Sequence, residues 1–520
     1  MTPTRGQKAP RAVGWLLAAF PAVVVAVLPL VYLVLRATDR GWDVFFGIAL
    51  HSRTAELAVN TVGLLIAVAM SAVALGTAAA WVVTRTAIPF RRAWTVLLVM
   101  PLAVPSYVSG FAWLSMDVVG LAGAWLALTT TNLPLVLLPV AAALRSADPA
   151  LEEVSRSLGQ GPWRTFLRVT LPRVWPSATA GGLLVALYVL HDFGAVSLLR
   201  YETFTLSIQT SYAGSFDRTP AAVTGVVLVA LAILLALAEA RMRGSTAARL
   251  GPGVARRAEA VRLRVAGLPV LFGLGGIVAL SLGVPLGALV RWLDIGSIAF
   301  DSAALVETTA TTVQFAALGA LVTVILAVPV GFLSARHGSR PVRAIELAAY
   351  AGHALPGITV ALALVFFGVR YAQPWYQQIP LLVLGYATLF LPIAISATRN
   401  AVAATAPAVE DVARSLGRGR LRVFGSVTLP LAAPGIAAGA ALVFLTCAKE
   451  LPATLLLRPT GTDTLATALW TKTGVSAFAE AAPYAALLVA VSIVPAILLE
   501  MSVFRSSRPV LDSVTRGAQP

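Results

Sequence analysis

The sequence predicts an all-α integral membrane protein with twelve transmembrane helices in two parallel six-helix repeats. Three observations carry this. The 520 residues are 58% hydrophobic and only 12% charged, with mean hydropathy +0.84, whereas soluble domains carry about a quarter charged residues. Uncharged stretches long enough to cross a hydrocarbon core recur along the whole chain. A polar segment of the first half reappears in the second almost residue for residue.

The first stretch, 14–35, follows a basic N-terminus containing Arg5, Lys8 and Arg11. A cleaved signal peptide has the same outline. Its apolar core is shorter, however, and removing this stretch would break the parity of the spans, so we read a retained first helix. The first half continues with 57–84, 93–116, 118–144, 174–190 and 219–238. The second half supplies 265–290, 308–335, 347–369, 371–398, 423–448 and 481–499. Prolines inside 118–144 and 371–398 (Pro134, Pro139, Pro374, Pro380, Pro392) are expected to shorten the helices there. The expected domains are a first repeat over 1–240, a basic linker over 241–264 and a second repeat over 265–520.

An even number of spans places both termini on one side, and the positive-inside rule makes that side the cytoplasm. With that orientation 29 Arg and Lys residues fall inside and nine outside, while Lys449 lies in a span. The net charge of +16 is therefore topological, and no nucleic-acid recognition motif accompanies it. The linker's basic residues suit connection and attraction to anionic membrane lipids. The single cysteine, Cys447, lies in an apolar run and excludes a disulfide framework or a CxxC metal site. A phosphate-binding P-loop needs a lysine between glycine and Ser or Thr. Of the three lysines, Lys8 precedes Ala9, Lys449 precedes Glu450, and Lys472 precedes Thr473 but follows Thr471. No ATP site, catalytic site or cofactor is expected within this chain.

The repeat is densest over 152–172 and 410–430, where thirteen of twenty-one ungapped positions are identical. They include Glu152/Glu410, Arg156/Arg414, Gly159/Gly417, Leu171/Leu429 and Pro172/Pro430. The same register aligns His191-Asp192 with Lys449-Glu450, and an offset of 251 aligns Thr61-Val62 with Thr312-Val313 and Pro105 with Pro356. The two loops, at about 148–175 and 406–433, open after Asp148-Pro149 and Ala406-Pro407 with acidic residues in the first helical turn. Glu152, Arg156, Glu410 and Arg414 are expected on a polar face, and Gly159 and Gly417 are expected to end the helix in a left-handed turn. A lone loop of this kind could be an interfacial elbow resting on lipid. Two at the same point of two halves suggest a paired partner.

The pattern Glu, six residues, Gly, eleven residues, Leu-Pro resembles the EAA loop of permeases of type I ATP-binding-cassette importers. Glu153-Val154 and Asp411-Val412 stand where that family usually has small alanines. The resemblance extends from about residue 55 to the end, and fused tandem permeases form a subgroup of the family. It implies interlocked helical halves around one pathway in the bacterial plasma (inner) membrane. Its expected partners are two cytoplasmic ATP-binding subunits and an extracytoplasmic substrate-binding protein. It also implies that Glu152, Arg156, Gly159, Leu171 and Pro172, with Glu410, Arg414, Gly417, Leu429 and Pro430, couple the chain to those ATPases. The stretches HDFGAVSLLRYETF and KELPATLLLRPTGTDTLATALW are similar to those of ferric iron permeases. A thiamine permease shares the fused plan. An ion-driven secondary transporter shares the span count but has no use for the repeated loop.

Ionisable residues inside spans point to function by default. For His191, Asp192, Lys449 and Glu450 two readings stand: neutralising pairs between the halves, or groups that line or gate the pathway. His353, three residues before Pro356, reads as a packed side chain because nothing nearby completes a metal site. Tyr201-Glu202 and Trp375-Tyr376 read as interfacial anchors or as a surface for a binding protein.

Overall fold

A computed structural model of the chain describes residues 13–147, 150–214, 217–249, 261, 267–296 and 301–506. Its secondary structure is helical; the isolated extended pairing among the described residues joins Thr86 and Val261. Among the described residues, nine helices are long and apolar enough to cross a membrane, and a helix pair bent by 90° (Arg91–Ala103 and Ser106–Leu114) would make ten. Two shorter apolar helices, Gly357–Tyr371 and Phe478–Ser492, fall on the remaining stretches.

The hydrophobic stretches of the sequence thus fall on helix, but 93–116 and 347–369 are broken, and 371–398 enters its long helix only at Ile379. The cause is Pro105 and Pro356, each standing just before a new helix. A proline disfavours helical geometry in the residue before it, and Val104 and Leu355 accordingly take ψ of 121° and 126°. The opposite outcome occurs at Leu171-Pro172 and Leu429-Pro430. There the chain stays helical by widening into a five-residue π turn, Phe166–Thr170 or Phe424–Thr428. Proline lacks an N–H and crowds the carbonyl four residues back, and the wider turn lets the Leu171 N–H reach the Phe166 carbonyl instead. The helices Trp163–His191 and Arg420–Ala448, 29 residues each, therefore start before the point of re-entry that the sequence suggested.

The chain forms two compact units, and neither is a contiguous half. In one, described residues of 1–36, 302–467 and 487–520 come together; in the other, described residues of 37–301 and 468–486. The first unit is built on the helices Ser302–Arg336, Ile379–Ala404 and Leu429–Ala448, onto which the first helix, Val13–Thr38, packs. There the Thr388 hydroxyl donates to the Val25 carbonyl at 3.0 Å, and Trp15 sits among Phe332 and Phe424. The second unit is built on Ser52–Arg85, Pro134–Ser146, Leu171–His191 and Thr219–Arg249. Small residues allow close helix approach in both, as membrane packing requires. A Cβ on Gly181 would lie 2.9 Å from the Val136 Cα, and one on Gly331 2.7 Å from the Thr398 Cβ.

Large apolar side chains such as Leu17, Phe20, Met70, Leu234, Phe272 and Ile325 stay exposed along these helices. Apolar exposure on that scale needs a nonaqueous surrounding, so the chain is a multi-pass membrane protein. Of the expected linker, 241–249 continues the helix Thr219–Arg249, and 250–260 and 262–264 lie outside the described residues. Val261 pairs with the turn after the helix Ser52–Arg85: its N–H donates to the Arg85 carbonyl at 2.8 Å, and the Ala87 N–H donates to its carbonyl at 3.0 Å. The side chain of His353 and the opening Asp148-Pro149 also lie outside the described residues.

Candidate functional site

The two repeated segments fold alike, each within its own unit. A short helix, Ala150–Ser157 or Pro407–Ser415, carries acidic residues in its first turn, Glu152 and Glu153 in one and Glu410 in the other. In the second segment Pro407 occupies the first helical turn, where its missing N–H costs nothing. Each helix ends at its glycine, Gly159 or Gly417, with φ +79° in both. The Gln160 N–H donates to the Ser155 carbonyl at 3.2 Å and the Gly159 N–H to the Arg156 carbonyl at 3.0 Å; Arg418 and Gly417 repeat both bonds at the same lengths. This is the Schellman arrangement that satisfies the last carbonyls of a helix. The following turn closes onto the helix through Ser155 and Thr165, whose hydroxyls lie 3.0 Å apart. In the second segment the same two positions hold the buried apolar residues Ala413 and Val423.

The glutamates do not face solvent as their polar pattern suggested. Glu152 and Glu410 are buried, and each is held by the arginine that ends the long preceding helix. Arg336 donates to Glu410 Oε1 from Nη2 at 2.7 Å and from Nε at 3.1 Å, and the Thr428 hydroxyl donates to the same oxygen at 3.1 Å. Arg336 Nη2 also reaches the carbonyl and hydroxyl of Thr405 at 3.0 and 2.6 Å. In the first segment Arg85 Nη2 stands 3.4 Å from Glu152 Oε1, Arg156 Nη2 stands 3.4 Å from Oε2, and the Thr170 hydroxyl donates at 3.1 Å. Ala147, where the second half has Thr405, offers Arg85 only a carbonyl at 3.5 Å. Arg414, unlike Arg156, turns away to Asp411 at 2.6 Å. Leu171-Pro172 and Leu429-Pro430 lie at the exits of the π turns.

With the glutamates turned inward, three large apolar side chains of each segment face outward. Leu151, Val154 and Leu158 are exposed in one and Val409, Val412 and Leu416 in the other, position for position, and both Leu158 and Leu416 are 75% accessible. These six residues and the anchors Arg85 and Arg336 were not among the residues picked from sequence. The signals were present: Arg85 and Arg336 share the offset of 251, Thr170 and Thr428 are among the thirteen identities, and Val154/Val412 and Leu158/Leu416 are too.

Asp192 and Glu450 also do matched work. Each closes a long helix and accepts from the first turn of a short one: the Ala195 N–H reaches Asp192 Oδ1 at 2.9 Å, and the Ala453 N–H reaches Glu450 Oε1 at 3.2 Å. Asp192 also accepts from the Ser106 hydroxyl. The equivalent of Ser106 is Gly357, and a Cβ there would stand 2.6 Å from Glu450 Oε1. The shorter acid thus meets serine, and the longer acid fills the space that glycine leaves. His191 and Lys449 directly precede them at the helix ends. Thr61 and Thr312 form another matched pair, accepting the Phe204 and Leu465 N–H groups at 3.1 and 2.8 Å. Among the described residues no group of three or more His, Cys, Asp or Glu is arranged to hold a metal ion.

The repeated plan is also what comparison with known proteins finds. Residues 4–242 and 327–508 match the family described as binding-protein-dependent transport system inner membrane component. The Fe(3+)-transport system permease protein FbpB 2 of Haemophilus influenzae is 37% identical over 485 residues, covering 92% of this chain and 96% of that protein. The sulfate transport system permease protein CysT of Escherichia coli is 27% identical, covering 84% of its own length but 41% of this chain. The molybdenum transport system permease protein ModB of Escherichia coli is 32% identical over 149 residues. A relative that fills less than half of this chain with most of its own length is one permease unit, and this chain carries two. The chain therefore belongs to the binding-protein-dependent transport system inner membrane components, as a fused tandem permease of the ATP-binding-cassette importer class.

Proposed function

We propose that this chain forms the translocation pathway of an ATP-driven importer for ferric iron. The observation that carries the cargo is the 37% identity to an Fe(3+)-transport permease over nearly the full length of both chains. The sulfate relatives match only single halves, at 24–28% identity. An external binding protein delivers the iron, a reading that the family description supports.

Energy comes from two cytoplasmic ATP-binding subunits, since no lysine of this chain stands in a P-loop. Each subunit docks on one repeated segment through the exposed Leu151, Val154 and Leu158 or Val409, Val412 and Leu416. Gly159 and Gly417 set the turn, and Glu152 and Glu410 pass the displacement to Arg85 and Arg336 at the ends of the long helices. Leu171-Pro172 and Leu429-Pro430 continue it into the next span. The protein sits in the bacterial plasma (inner) membrane with both termini in the cytoplasm, as the arginine distribution supports. Uptake of radiolabelled Fe³⁺ in a strain lacking the chain tests the proposal. Restoration by the wild-type chain, unaffected by excess sulfate or thiamine, is expected; competition by either would replace iron with that cargo.

A further inference from the structure

Each repeated segment rests on a group of three aromatic rings. In the unit containing the first segment, Phe166 opens the π turn and contacts Trp81 at 5.3 Å and Trp163 at 5.6 Å, the latter ring stacked at 28°. Trp163 belongs to the segment itself. In the other unit, Phe424 opens the π turn and meets Phe332, the counterpart of Trp81, at 5.1 Å. The counterpart of Trp163 is Leu421, exposed and without a ring. The third ring comes instead from the first helix: Trp15 lies 4.5 Å from Phe332 and 4.7 Å from Phe424, edge-on to the latter at 69°. Val402, Ala432, Ala335, Ala401 and Ile436 complete the cluster.

We propose that Trp15 is a positioning residue for the second coupling segment, supplying from the first helix the ring that the first segment carries as Trp163. Local geometry supports this, since the short helices Pro162–Thr165 and Arg420–Val423 lead into π turns of the same length. A tryptophan at 421 would thus reach Phe424 as Trp163 reaches Phe166. The first helix is then part of the coupling machinery as well as a membrane span. The inference rests on the docking reading above.

The test uses the full chain with its two ATP-binding subunits in proteoliposomes, reading the stimulation of ATP hydrolysis by the Fe³⁺-loaded binding protein. Trp15→Ala should retain both ATPase subunits on purification yet lose about tenfold in stimulation, the scale of two aromatic contacts. Trp15→Phe should stay near wild type, and adding Leu421→Trp to Trp15→Ala should restore most of the loss. Should Trp15→Ala fail to accumulate, Trp15→Leu keeps the bulk without the ring and takes its place. Wild-type stimulation in the ring-less variant, or a loss that Leu421→Trp does not repair, overturns the proposal. A wild-type chain that retains no ATPase subunit overturns the docking reading and this inference with it.

Discussion

Replacing Arg336 with Met leaves the buried Glu410 carboxylate with one hydroxyl donor, Thr428, where it had three donor contacts. Removing one partner of a buried ion pair costs about 3–5 kcal/mol, and the side chains of this pair are only 12% and 10% accessible. Arg85→Met takes away less. The Arg85–Glu152 contact is a single one at 3.4 Å, and Arg156 stays at 3.4 Å from the other carboxylate oxygen, so the charge keeps a cation. A loss of about 1.5 kcal/mol, the low end for one hydrogen bond to a charged group, is expected there. Local opening of each segment is readable by trypsin, which cleaves after Arg164 and Arg168 in one and after Arg418, Arg420 and Arg422 in the other. Where opening is fast relative to cleavage, the rate follows the open population. Arg336→Met should accelerate cleavage of the second segment by roughly a hundredfold or more, and Arg85→Met that of the first by roughly tenfold. Adding Glu410→Gln to Arg336→Met removes the stranded charge and should recover part of the protection. Equal acceleration in the two halves, or no recovery in the double variant, would refute the reasoning.

Leu158→Glu and Leu416→Glu, each on a fully open face, should abolish co-purification of the ATP-binding subunits while leaving the thermal unfolding of the isolated chain unchanged. Gly417→Ala meets no atom within 4 Å but must hold φ +79°, so it should cost about 1–2 kcal/mol and speed trypsin cleavage of the second segment alone. Gly357→Ser drives a side chain into Glu450 and should lower the thermal unfolding midpoint. Adding Glu450→Asp recreates the Ser106–Asp192 pair and should restore it, as measured in the same scan.

The helical class and the position of every apolar stretch were legible because a hydrocarbon core permits only long uncharged runs, and such runs are visible without tertiary information. Helix breaks were not. Pro105 and Pro172 are both prolines in apolar context, yet one breaks the chain and the other is absorbed by a π turn. The two outcomes are told apart only in the structure, where Trp81 and Trp163 pack on Phe166 at the opening of the π turn. The left-handed glycines were legible from local chemistry alone. The direction of Glu152 and Glu410 was not, since the arginines that draw them inward lie 67 and 74 residues upstream. Matched offsets between the halves carried that information, because each carboxylate and its arginine are both repeated. The compact units differ from the two halves for a similar reason: periodicity reports that a helix exists and is silent on which bundle takes it.

The hydrogen bond from Thr388 to Val25 joins residues 363 positions apart. At translation speeds of about 5–20 residues per second, the first helix is made tens of seconds before the helices it packs on. During that interval its packing face has lipid or targeting machinery for company. Synthesis of one half alone would leave the first helix without its seat, or the helices of the second half without a wall. Joining the halves in one chain turns that late docking into a tethered event, in which the helix meets its seat at the high effective concentration that a covalent connection sets.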